Sequence, residues 1–132
     1  MRNNIPTLFV LILLISLFSG CGKGFSPALR EVDRLMSIDN KRGEAMLDSI
    51  CRVDKKMSSA DKKYCLLLRL KTEDKAYRSI VKWKKCADSL VSYFERTGDE
   101  NLLAEAYFYA GRVYYEIGDK PESLKYYQKA SE

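Results

Sequence analysis

From Pro27 onward, apolar residues return every three or four positions, and nowhere do they alternate with a period of two. A chain patterned this way buries its hydrophobic stripes as helices packed on helices, and strands have no basis in it. Leu29, Val32, Leu35 and Met36 form a first stripe, and Met46, Leu47, Ile50 and Cys51 a second, with Asp39-Asn40 as the break between them. A third helix is expected from about Ser58, where Asp61 gives the spacing of a capping box. It carries Tyr64, Leu67 and Leu68 on one face and Leu66 and Leu70 on another, which predicts a helix held between neighbours.

The boundaries are marked by turn chemistry. Ser26-Pro27 is a helix-start pair, with Ser able to cap and Pro tolerated at the first helical position. A fourth helix from about Ser79 to Arg96 stripes Ile80, Trp83, Ala87, Leu90, Val91 and Phe94, and Thr97-Gly98-Asp99 ends it and starts the next. The fifth, about Glu100 to Ile117, stripes Leu103, Ala106, Tyr107, Ala110, Gly111 and Tyr114. Gly118 then supplies a left-handed cap, Asp119 with Glu122 repeats the capping-box spacing, and Pro121 falls in a first turn that tolerates it. The sixth helix carries Leu124, Tyr127 and Ala130, so the fold class is all-α.

The chain has 132 residues, 46% hydrophobic and 31% charged, enough apolar content for one domain with a core. Histidine is absent, which removes the commonest general base and zinc ligand and any Ser/His or Cys/His pair. No nucleophile/base pair or ligand cluster is evident, so neither an enzyme nor a cofactor is expected. The net charge of +5 is unevenly placed: Arg52 to Lys85 holds twelve Lys or Arg against four acidic residues, whereas Asp99 to Glu132 holds four against seven. The basic residues are spread over three helices, which reads as a solvated face able to steer toward anionic lipid and not as a nucleic-acid site. Cys51, Cys65 and Cys86 include no Cys-x-x-Cys, so a metal site is not expected. Either two of them pair or all three are small buried residues, and a count of free thiols separates the two.

Leu8 to Phe18 is apolar except at Ser16, follows a start whose one charged side chain is Arg2, and leads to Ser19-Gly20-Cys21. Such a run spans about 16 Å as a helix, roughly half a bilayer core, which suits a signal peptide and not a membrane span. The segment Leu17-Phe18-Ser19-Gly20-Cys21 resembles the lipobox of bacterial lipoproteins, with Phe18 where the family usually has Leu and Leu17 one place further back. The resemblance implies that residues 1–20 are a lipoprotein signal peptide, that Cys21 is lipidated, and that residues 21–27 are a tether. Two acyl chains suffice for stable anchoring. The residues after Cys21 lack an acidic cluster, and the resemblance then implies a membrane lipoprotein of the bacterial cell envelope that faces the periplasm.

Within Ala104 to Glu132, Tyr107, Ala110-Gly111, Tyr114, Gly118-Asp119, Ser123, Tyr127 and Ala130 resemble a tetratricopeptide repeat (TPR), a pair of antiparallel helices of about 34 residues. Ala110 replaces the usual Leu and Ser123 the usual Ala, and both are small enough for close helix packing. Tyr64 to Arg96 is a looser copy, and Leu29 to Ile50 a still more divergent pair. The resemblance implies that residues 28–132 form antiparallel helix pairs stacked as a short TPR-like α-solenoid, its last repeat at 104–132 incomplete. The arrangement looks like periplasmic TPR proteins common in Bacteroides-type bacteria, in many of which further repeats precede a membrane span and a DNA-binding domain. Glu132 falls inside the last helix, before the proline with which this repeat type usually closes, so the chain is expected to be a fragment; the resemblance then implies the sensing N-terminal part of a larger regulator, with a short lipoprotein as the alternative.

The family binds extended peptides along its first helices. Carried onto this chain, the ligand-facing positions fall on or beside Glu105, Phe108, Tyr109, Arg112 and Tyr115. The alternative, that these residues meet a neighbouring helix pair, stays open at this point. The expected function is a non-enzymatic protein-protein interaction module with a protein or peptide partner, and a second expectation is a lipoprotein component of glycan uptake or envelope assembly.

Overall fold

The computed structural model describes residues 24–53 and 56–132. The signal segment, Cys21 and the start of the tether lie outside the described residues. Six α-helices follow in order: α1 (Pro27–Ile38), α2 (Asn40–Val53), α3 (Ser59–Lys75), α4 (Lys84–Thr97), α5 (Glu100–Ile117) and α6 (Lys120–Ala130), with a 3-10 turn (Val81–Trp83) leading into α4. Among the described residues there is no strand.

Most connections follow from local chemistry. Asp39 closes α1, and its carboxylate accepts from the Arg42 amide at 3.1 Å, so one residue ends one helix and caps the next. Ser58 caps α3 by accepting from the Asp61 amide at 3.0 Å, Asp99 caps α5 through Leu102 at 3.0 Å, and Asp119 caps α6 through Glu122 at 3.2 Å. Gly98 and Gly118 end α4 and α5 in the left-handed region, at φ 74° and 91°, where a side chain would be strained.

One expected cap and one expected start differ. The Ser26 side chain makes no cap bond; its backbone N–H instead donates to Asp61 Oδ1 at 2.9 Å and ties the start of α1 to the start of α3. The fourth helix was expected from Ser79 and opens instead as a 3-10 turn. No local side chain caps it, and the Ile80 amide donates at 3.0 Å to Glu116 Oε2, which reaches across from α5.

Consecutive helices pack as hairpins, α1 with α2, α3 with α4 and α5 with α6, and α1, α3 and α5 also touch in sequence to form one layer. The even-numbered helices lie behind, each against its odd-numbered neighbours. The result is an all-α stack of helix pairs of repeat-like form. As the central element, α3 buries Tyr64, Cys65, Leu67, Leu68, Leu70 and Thr72, more than half of its circumference.

Close crossings depend on glycine. A Cβ on Gly111 would stand 2.8 Å from the Tyr127 ring and 3.3 Å from the Ser123 carbonyl, and Ser123 Oγ donates to the Gly111 carbonyl at 2.8 Å, so α5 and α6 meet nearly backbone to backbone. Gly43 does the same for the first pair, where a Cβ would lie 3.0 Å from the Met36 amide nitrogen.

Two stripes are corrected. In α5 the structure buries Leu102, Tyr109 and Val113 besides Ala106, Ala110, Gly111 and Tyr114, while Leu103 and Tyr107 are half-buried. In α6 Leu124 is 59% exposed and Ser123 takes the buried position, with Tyr126, Tyr127 and Ala130 half-buried. The Tyr126 ring packs at 5.4 Å from Tyr114 and 6.2 Å from Tyr107, which fills the seam between α5 and α6.

Candidate binding face

The layer of α1, α3 and α5 is cross-linked by charge. Lys71 on α3, 12% exposed, donates to Asp33 of α1 at 2.7 Å and to Glu105 of α5 at 3.1 Å. Tyr64 Oη donates to the other Asp33 oxygen at 2.9 Å, so Asp33 is satisfied from two sides. One turn further along, the Arg112 guanidinium grips Asp74 of α3 with Nη2 at 2.6 Å and Nε at 3.0 Å, a forked geometry that favours this pairing. Lys75 donates at 3.1 Å to the Met36 carbonyl near the end of α1.

Burial and charge compete along this face. Burial pulls the Lys71 ammonium down, but Asp33 and Glu105 outweigh it and hold its pKa above the usual lysine range. Burial pushes the Glu105 carboxyl up, against the pull of Lys71. Burial and the Asp33 charge keep the Tyr64 phenol protonated far above its ordinary range. The bond to Asp74 holds Arg112 firmly cationic.

Two shallow clefts adjoin Glu105. One, of about 240 Å³, is walled by Phe25, Arg30, Asp33, Tyr64 and Asn101 among others; the second, of about 390 Å³, by Lys71, Phe108, Tyr109 and Ala130.

The five positions singled out as partner-facing are thus sorted by the structure. Phe108 and Tyr115 stand out from α5, 43% and 56% exposed. Phe108 leans on Tyr127 with ring centres 5.8 Å apart, and the Arg112 guanidinium lies 5.9 Å from the centre of the Tyr115 ring. Glu105 and Arg112 are engaged as struts between helices. Tyr109 is only 6% exposed and belongs to the core, because α5 packs against α3 and α4 as well as α6. Asp33, Lys71 and Asp74 were not foreseen: their partners are more than thirty residues away in sequence, and no local spacing announces them.

Among the described residues, no three His, Cys, Asp or Glu are grouped to hold a metal ion, and no helix is long and apolar enough to cross a membrane. Compared with protein-family models, curated proteins and solved structures, the chain finds no significant match.

Proposed function

We propose that the chain is a non-enzymatic interaction module, a TPR-like lipoprotein held by Cys21 at a bacterial envelope membrane and facing the periplasm, which takes a protein or peptide partner along the face of α5. The observation that supports the reading is the pair Phe108 and Tyr115, two aromatic side chains seven residues apart and therefore on one side of the helix, both left open to solvent. They flank Arg112, and aromatic residues with arginine are the side chains that interfaces concentrate. The charged struts beneath them hold α3 and α5 in fixed relation, so a partner would meet a preformed surface with little ordering cost.

The test places a photo-crosslinking amino acid at position 108, at 115, and at the exposed control position Ser49 on α2, in chain expressed with its own N-terminus in a bacterial envelope. A discrete adduct from 108 and 115 but not from 49 is expected. Equal labelling at all three positions, or none at any, contradicts the reading. Lipidation has a separate readout: globomycin, which blocks the lipoprotein signal peptidase, should leave an unprocessed precursor, and unchanged mobility counts against a lipid anchor at Cys21.

A further inference from the structure

Cys51, in the last turn of α2, and Cys65, in the second turn of α3, bring their sulfurs to 3.1 Å. Both are free thiols, and Met57 Sδ lies 3.5 Å from the Cys65 sulfur. An apolar hollow of about 290 Å³ opens onto the pair, walled by Cys51, Met57, Lys62, Cys65 and Leu66, which gives a small reagent access to them. Cys86, on α4, is not part of that wall. Two sulfurs at this distance need to close by only about 1 Å to reach a covalent S–S separation of about 2.05 Å. Cys51 lies in the last turn of its helix, where small adjustments are least resisted.

We propose that Cys51 and Cys65 form an intramolecular disulfide on meeting a disulfide oxidant, and that Cys86 stays a free thiol. Cys51, half-buried on the wall of the hollow, meets the oxidant first. Its thiolate, after losing a proton, attacks one sulfur of the external disulfide; the S–S bond of the oxidant breaks and one thiolate leaves. Cys65 then loses its proton and attacks the Cys51 sulfur, and the second thiolate of the oxidant departs. The protein loses two hydrogens, and the oxidant becomes two thiols. Burial and the neighbouring Cys51 push the Cys65 thiol up to about 12, which makes it the poorer first attacker; in the second step the Cys51 sulfur already lies beside it. The bond would staple α2 to α3 across residues 54–58 and remove freedom from the unfolded chain. The pairing stands on geometry and does not need the export reading, which only supplies a compartment where such an oxidant is met.

The test is done on the full chain, incubated with oxidised glutathione, blocked with an alkylating reagent and digested with trypsin without reduction. The expected product is peptide Gly43–Arg52 joined to peptide Tyr64–Arg69, two hydrogens lighter than their sum, with Cys86 alkylated in peptide Cys86–Arg96. Alkylation of both Cys51 and Cys65, a glutathione adduct that persists on Cys51, or any linkage through Cys86 or Cys21 overturns the proposal. On the protein as isolated from cells, the same digest reports on the compartment: a linked peptide after glutathione but not in cell-derived protein would sustain the pairing and count against export.

Discussion

Exchanging Lys71 for methionine removes the cation that stands between two carboxylates. Asp33 and Glu105 would then share a partly buried space without their bridge, and Lys71→Met is expected to lose about 1–3 kcal/mol, less than for a fully buried pair because both acids keep some contact with water. Glu105→Gln in the same chain should restore part of that loss, and denaturant titration of the three proteins checks both. An unchanged midpoint would mean that water screens these struts as it does surface pairs. The variant should also gain from mild acid. Burial already raises the Glu105 pKa in the native state, so the native form takes up a proton there more readily than the unfolded chain, and stability rises as pH falls through the folded pKa. Tyr77 presents the opposite case: it sits at φ 57° with its side chain 98% exposed, so no packing offsets the left-handed strain. Tyr77→Gly is expected to stabilise the fold by about 1 kcal/mol, measured as a higher melting temperature.

At the scale of the helix, the crossings at Gly43 and Gly111 set how closely each hairpin closes. Alanine at Gly43 would meet first the Met36 Cγ and, at 3.0 and 3.1 Å, the Met36 backbone nitrogen and Cα, which cannot rotate away, whereas at Gly111 it would meet first the Tyr127 ring, which can shift. Both should destabilise, by about 1–3 kcal/mol against the roughly 1 kcal/mol that alanine gains by helix propensity, and Gly43→Ala should cost more. Thermal melts of the two variants decide the order. The caps at Ser58, Asp99 and Asp119 and the turns at Gly98 and Gly118 were legible in the sequence because each acts within three or four residues. The start of α1 at Ser26-Pro27 was legible too, but the tie of the Ser26 amide to Asp61 was not, nor was the 3-10 turn before α4, whose Ile80 amide is satisfied by Glu116 from another helix. The rotation of α6 escaped for a different reason. It packs chiefly on α5, so Leu124 finds no neighbour to bury it, and the buried place goes to Ser123, whose hydroxyl can bond the Gly111 carbonyl.

Across the whole molecule, the layer of odd-numbered helices explains both what was read and what was missed. Helical periodicity shows that a helix has an apolar stripe, but a helix packed on three others has apolar residues on several sides, so Tyr109 was placed on the partner face and lies in the core. The long-range struts that join the layer leave no local trace. Their collective effect is predicted on the alkaline side. Burial pushes Tyr107, Tyr109 and Tyr126 each up to about 12 from an ordinary 10.0, and Tyr64 higher still. A phenol that holds its proton more tightly when folded lets the unfolded chain ionise first, so stability is full below pH 10 and falls as pH rises toward 12. Helix signal and tyrosinate absorbance should therefore change together in that window; tyrosines that all titrate near 10 with the helices intact would contradict it. The most direct test of the central claim, that Phe108 and Tyr115 serve a partner and not the fold, is the double variant Phe108→Ala, Tyr115→Ala carrying a photo-crosslinker at exposed Asn101. The account predicts loss of the partner adduct with an unchanged melting temperature. A lowered melting temperature with the adduct retained would show that the two aromatic rings belong to the fold.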